Sequence, residues 1–232
     1  MAYHANDNLF FLNYLCKEYN WDKISIIGHS MGSVLGFVFA SVFPERVDML
    51  IGIDALKPHI YNPAKIPSFL EDRVEAFMLA DQRNQEKSEP PAYTYEELVE
   101  RLSSGTYGSV TKETCSFLLK RAIKRSEKHP GKYFFTRDSR LKYNYGTNFS
   151  QDVSIELAKR LNMPYLFIKA TNSPYYERKQ YFDEVIEILQ KSEKFEFHTI
   201  DSTHHLHLTE PENVAPLINN FIAKHNKPTS KL

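Results

Sequence analysis

Apolar positions follow two rhythms along this chain. Leu9, Phe10, Leu12, Leu15 and Cys16 recur at helical spacing just after Asp7, which predicts an amphipathic helix over Asn6–Tyr19. Ile24, Ile26 and Ile27 then form a short β-branched run closed by Gly28. An apolar run from Met31 to Phe43 follows, too long for one strand and stopped by Pro44, so this stretch reads as strand, tight turn, helix. Val47–Ile53 reads as a second strand, with Asp54 at its carboxyl end. The same alternation returns late: Val153–Leu161 reads as a helix, Pro164–Lys169 as a strand, Tyr181–Leu189 as a helix and Phe195–Ile200 as a strand, with a last amphipathic helix over 211–224. Strands alternating with helices predict an α/β fold on a parallel sheet.

Residues 59 to about 150 break the alternation. Phe69–Ala80, Glu96–Leu102 and Lys112–Arg125 read as helices, separated by polar connections such as Lys87-Ser88-Glu89-Pro90-Pro91. Lys132–Leu141 reads as the segment that brings the chain back to the sheet. The expected organisation is therefore a core over 1–58 and 151–232 with a helical insertion over 59–150.

Composition narrows the function classes. With 232 residues, 42% of them hydrophobic, the chain can bury a sizeable core. A formal net charge of zero leaves no basic footprint for nucleic acid. No apolar run reaches the length of a membrane span. Cys16 and Cys115 are the only cysteines and neither sits in a metal or redox motif, which fits a reducing compartment. No dinucleotide fingerprint or phosphate loop occurs, and no cofactor is expected.

The chemistry concentrates in the turn between the first strand and its helix. Gly28-x-Ser30-x-Gly32 is the G-x-S-x-G pattern of a nucleophile elbow. Such a turn strains the serine backbone so that the hydroxyl projects above the sheet, and the flanking glycines are expected because the backbone doubles back. The helix N-terminus beneath favours a developing negative charge. Gly28-His29-Ser30-Met31-Gly32, followed by Phe43-Pro44-Glu45-Arg46-Val47, resembles the Ser-nucleophile members of the α/β-hydrolase family. More narrowly, the chain resembles the serine hydrolase-like proteins of the Kraken type, whose Arg-Asp-x-Arg-Leu pattern is similar to Arg137–Leu141.

The resemblance implies a fold, a cap and a triad. The fold is an α/β-hydrolase fold with a mainly parallel sheet, helices on both faces and the 59–150 insertion as a helical cap over the site. It also implies strands ahead of the elbow and an oxyanion donor from a loop among them; neither is found upstream of Ile24, so a partial sheet with an apolar edge is expected. The remaining oxyanion donor is the backbone N–H of Met31. A serine hydroxyl needs a base held by an acid, in the family's chain order Ser, acid, His. Matching His207-Leu208 and Pro211-Glu212 puts the base at His204, with His205 as the alternative. A metal held by the His-His-x-His cluster is a weaker reading, for want of carboxylate or cysteine partners. The acid commonly found after the penultimate strand falls on Ser173; the alternative position, after the strand that follows the elbow, holds Asp54, with Glu177 as a further candidate. Asp138 reads as structural, paired with a neighbouring arginine.

The implied reaction is hydrolysis of a carboxylic ester or similar acyl substrate through Ser30, His204 and Asp54, by way of an acyl-enzyme. A rival reading is an inactive or shortened relative acting as a binding protein. Epoxide and haloalkane hydrolases carry Asp at the elbow, where this chain has Ser30. The final Ser230-Lys231-Leu232 is the S-K-L address read by the peroxisomal import receptor, which points to peroxisomal delivery and a lipid-like substrate.

Overall fold

The computed structural model describes residues 5–86, 89–143 and 149–226. In chain order the elements are α1 (Ala5–Glu18), β1 (Ile24–His29), α2 (Met31–Val42), β2 (Val47–Ile53), α3 (Ile66–Gln85), α4 (Tyr95–Gly105), α5 (Cys115–Ala122), β3 (Ile123–Arg125) and β4 (Tyr133–Phe135). They continue with α6 (Gln151–Lys159), β5 (Tyr165–Ala170), α7 (Lys179–Leu189), β6 (Phe195–Ile200), α8 (Leu206–Thr209) and α9 (Pro211–His225). Among the described residues two compact units emerge, one within Asn62–Tyr145 and the other within His4–Tyr61 and Gly146–Leu232.

The discontinuous unit carries one parallel four-stranded sheet in the order β1-β2-β5-β6. All six residues of β5 are buried, and in β2 only Asp48 is exposed, as expected of parallel strands covered on both faces. The period-2 alternation of side chains divides the core in two. Met49, Ile51 and Ile53 with Leu166, Ile168 and Ala170 pack against Leu206, Val214 and Phe221. Leu50, Tyr165 and Phe167 face the other way, onto Phe37 and Phe39 of α2 and Phe182, Val185 and Leu189 of α7. Each such large apolar side chain contributes about 1.5–3 kcal/mol by leaving water. Helices therefore cover both faces, the α/β architecture that the strand-helix alternation predicts.

Register brings the carboxyl ends of the strands to one level. Gly28 lies beside Gly52, Ile53 beside Ile168, and Ala170 beside Ile200. β1 is the outermost strand on one side of the described sheet, and its Ile27 is 55% exposed.

The Asn62–Tyr145 unit departs from the all-helical expectation. The helix read over Lys112–Arg125 stops at Ala122, because Ile123–Arg125 pairs antiparallel with Tyr133–Phe135. β-branched Ile123 and the aromatic Tyr133-Phe134-Phe135 run favour the sheet. His129-Pro130-Gly131-Lys132 lies between the two strands as a turn, with Gly131 at φ 78° and Lys132 N–H donating to His129 O at 3.0 Å. Lys132–Leu141 thus stays within this unit instead of returning to the main sheet. A small core of Leu98, Val110, Cys115 and Leu119, each 0% exposed, holds α4 and α5 together. Thr94 and Glu97 form a reciprocal capping box at the start of α4. Arg140 joins Asp138 to Asp81 of α3 through charge-assisted bonds of 2.7 Å to each.

Among the described residues no helix is long and apolar enough to cross a membrane. The Ser230-Lys231-Leu232 tail lies outside the described residues.

Candidate active site

Ser30 sits between the end of β1 and the start of α2 with φ 53° and ψ −120°, a conformation L-residues seldom adopt. Its backbone is clamped there: Ser30 N–H donates to Ile53 O at 2.9 Å, while Ser30 O accepts from Ser33 N–H at 3.0 Å and Val34 N–H at 3.1 Å. A serine before a helix ordinarily turns its hydroxyl onto the helix's free N–H groups. Ser30 makes no such bond; its Oγ lies instead 2.8 Å from His204 Nε2. Met31 occupies the first position of α2, at the positive end of the helix dipole.

The two flanking glycines differ. A Cβ on Gly28 would come within 2.4 Å of the Gly32 backbone, so nothing larger fits there. A Cβ on Gly32 would meet nothing within 4 Å, which corrects the expectation that both positions must be small. The turn folds back over Gly28 alone.

Asp54 stands at the end of β2 with φ 58° and a fully buried side chain. Its backbone N–H bonds Ile168 O at 2.8 Å, which fixes it to the neighbouring strand. Oδ2 lies 2.6 Å from His204 Nδ1. A carboxylate only accepts, so Nδ1 carries the proton and Nε2 accepts from the Ser30 hydroxyl. Oδ1 accepts from Lys169 Nζ and from Ala170 N–H, each at 2.8 Å. Burial raises the Asp54 carboxyl, but the bonds from His204 and Lys169 outweigh it and hold Asp54 below the usual carboxylate range.

His204 comes from the loop after β6, and two anchors hold that loop. Leu206, 0% exposed, plugs into the apolar face beneath. His29 Nε2–H donates to His204 O at 2.8 Å, so the last residue of β1 holds the backbone of His204. Further along, Asp201 accepts from Thr171 Oγ1 at 3.1 Å and Asn172 Nδ2 at 2.8 Å, tying the loops after β5 and β6 together.

The surrounding histidines are held neutral. Burial, with repulsion from His207, drives His29 down to about 3. Burial and His204 drive His205 down to about 4, and burial with Lys57 and His204 does the same to His59. His207 is lowered too, by burial and then by His204. Although the rings of His29, His204, His205 and His207 cluster, no three His, Cys or carboxylate groups among the described residues are placed to hold a metal ion.

Of the candidate residues, Ser30, His204 and Asp54 converge, while the alternative Glu177 is engaged elsewhere. Glu177 forms a buried 2.7 Å ion pair with Lys57 and accepts from Ile60 N–H at 2.9 Å. His205 precedes α8, and it is the neighbouring His204 that bonds Ser30. Ser173 lies beside Asp54 without replacing it: its carbonyl accepts from Lys169 at 2.9 Å, and its hydroxyl is outside bonding geometry with any group yet close enough to help lower Asp54. Sequence reasoning missed Lys169 and His29. The one signal for Lys169 was a cation inside the otherwise apolar Pro164–Ala170 run.

Comparison with known proteins finds relatives of the chain. The chain is 28% identical over 217 residues to a probable serine hydrolase of Drosophila melanogaster, matching 93% of this chain and 65% of that protein. It is 27% identical over 221 residues to the human serine hydrolase-like protein 2, across 87% of this chain and 66% of that one. The chain thus spans just under two thirds of the length of these relatives. A crystal structure of a hypothetical protein from Pseudomonas aeruginosa PAO1 superposes with a TM-score of 0.77 at 23% identity, covering 98% of this chain and 76% of that one, a likeness of fold. Residues 2–211 match the family model described as alpha/beta hydrolase fold, and the chain belongs to that family.

Proposed function

We propose that this chain is a serine hydrolase of carboxylic esters or similar acyl substrates. The observation that carries the reading is a line of two short bonds, Ser30 Oγ to His204 Nε2 at 2.8 Å and His204 Nδ1 to Asp54 Oδ2 at 2.6 Å, beneath a strained serine backbone. In this reading His204 takes the Ser30 proton as Oγ attacks the acyl carbon. Asp54 keeps the ring in the tautomer that accepts at Nε2 and stabilises the imidazolium. The Met31 N–H and the α2 dipole meet the oxyanion. His204 then protonates the leaving group, and water, deprotonated by the same ring, hydrolyses the acyl-enzyme. By the family resemblance, the insertion over 59–150 is assigned the role of a cap that governs access. Delivery to the peroxisome through Ser230-Lys231-Leu232 and a lipid-like acyl group complete the proposal.

The test is labelling with a fluorophosphonate probe, after circular dichroism has shown the chain to be folded. Labelling of the parent chain, its loss in Ser30→Ala and a fall of about 10⁴-fold in Asp54→Asn are expected. A folded parent chain that stays unlabelled refutes the reading.

A further inference from the structure

Asp54 divides its two oxygens between different tasks. Oδ2 receives the proton of His204 Nδ1 at 2.6 Å, and Oδ1 receives Lys169 Nζ and Ala170 N–H at 2.8 Å each. The ammonium is fully used: its other bonds run to Ala170 O at 2.8 Å and Ser173 O at 2.9 Å. Its side chain is 4% exposed and that of Asp54 0%, so this is a buried ion pair. Burying a lysine this deeply costs several kcal/mol unless its partners are well placed. Packing alone gives no reason for a cation here, since Tyr165 and Phe167, the same-face neighbours on β5, belong to the apolar core. The space beside the pair is a cavity of about 10 Å³, also lined by Lys57, His59 and Glu177. That is room for about one water, so solvent cannot take over the role of the ammonium.

We propose that Lys169 is a positioning residue of the Ser30–His204–Asp54 triad: it locks the Asp54 carboxylate with Oδ2 aimed at His204, fastens it to the turn after β5 and offsets part of its charge. The proposal rests on the acyl-transfer reading above. An unopposed buried carboxylate would stabilise the imidazolium so strongly that the ring would be protonated, and useless as a base, at higher pH. Lys169 opposes that effect while its hydrogen bond fixes the geometry. The other titratable groups facing the pair are Lys57 and His59 from the segment after β2, Tyr175 and Glu177 from the segment after β5 and His205 from the loop after β6, with His29 from β1 and His207 from α8 around the His204 ring. All are present in every variant below.

The experiment follows the His204 ring by NMR against pH in the full chain, in Lys169→Gln and in Lys169→Met, each first shown to be folded. Gln keeps a donor without the charge and guards against loss of fold in the Met variant. The midpoint of the His204 titration is expected to move to higher pH by about 0.5–1 pH unit in both variants. Fluorophosphonate labelling at pH 7 should fall about tenfold in Lys169→Met and recover partly in Lys169→Gln. A purely structural lysine would lower the melting temperature and leave the midpoint in place, and an unmoved midpoint in the folded variants overturns the proposal. An unlabelled parent chain whose His204 midpoint still moves would reject acyl transfer while upholding the coupling of Lys169 to the Asp54–His204 pair.

Discussion

Acidification from pH 6.5 to 5 loads this site in a way that can be worked out group by group. His29 is held at about 3, and His59 and His205 at about 4, all from an ordinary 6.5 and all mainly by burial. At pH 5 these rings stay neutral in the folded chain and are mostly protonated in the unfolded one. The unfolded state then binds more protons, so the stability they contribute is complete above pH 6.5 and drains away as the pH falls toward 4 and 3. Over the 1.5 units from 6.5 to 5 each ring costs about 1.6 kcal/mol, about 5 for the three. The rings share repulsions with His204 and His207 and water reaches part of each, so about half of that, ~2.5 kcal/mol, is expected in the intact protein. That is a large fraction of the 5–15 kcal/mol typical of a whole domain. Asp54, held low, keeps its contribution above an ordinary carboxylate range and loses it only at more acid pH. Urea unfolding followed by far-ultraviolet circular dichroism at pH 7, 6 and 5 measures the effect, and His59→Asn should shrink the drop by about 1 kcal/mol. Equal stability at pH 7 and 5 would show that the rings are not held neutral, and the reasoning would fail.

The glycine pair and the buried ion pair offer two further tests by thermal or urea denaturation. Gly28→Ala forces a Cβ to within 2.4 Å of the Gly32 backbone and should cost about 3 kcal/mol. Gly32→Ala, with open space at that position in the first turn of α2, should leave stability unchanged or raise it by up to about 1 kcal/mol. Glu177→Gln leaves the Lys57 ammonium, 1% exposed, without its anion and should cost about 3–5 kcal/mol. Adding Lys57→Met removes the stranded charge and should restore most of the loss.

What could be read in advance depended on whether the information was local. The β-branched Ile24–Ile27 run, the stop at Pro44 and the apolar Val47–Ile53 run each announce an element within a few residues, and β2 and β6 fall where the pattern put them. In the Asn62–Tyr145 unit, helical periodicity through Lys112–Arg125 hid a change of partner at Ile123 that Pro130-Gly131 could have signalled. The site was legible at Ser30, where one turn defines the geometry. Asp54 and His204 needed the family's order of residues, since nothing near either says that strand register will bring them together. Lys169 stayed hidden for a related reason. At the last but one position of a buried strand, a lysine looks like the end of the run until the strand beside it contributes a carboxylate.

The long separations within this site have a consequence for the chain as it is made. Ser30 and His204 are 174 residues apart, His204 and Asp54 150, and Asp54 and Lys169 115. Contacts so distant in sequence repay the entropy of closing their loops only after the parallel strands between them have aligned. A chain leaving the ribosome exposes its serine early, yet the hydroxyl has no base until residue 204 has emerged and β6 has joined the sheet. On the proposed reading, reactivity at Ser30 is thus a late event of folding, and a probe that reacts there counts only molecules in which β1, β2, β5 and β6 have come together.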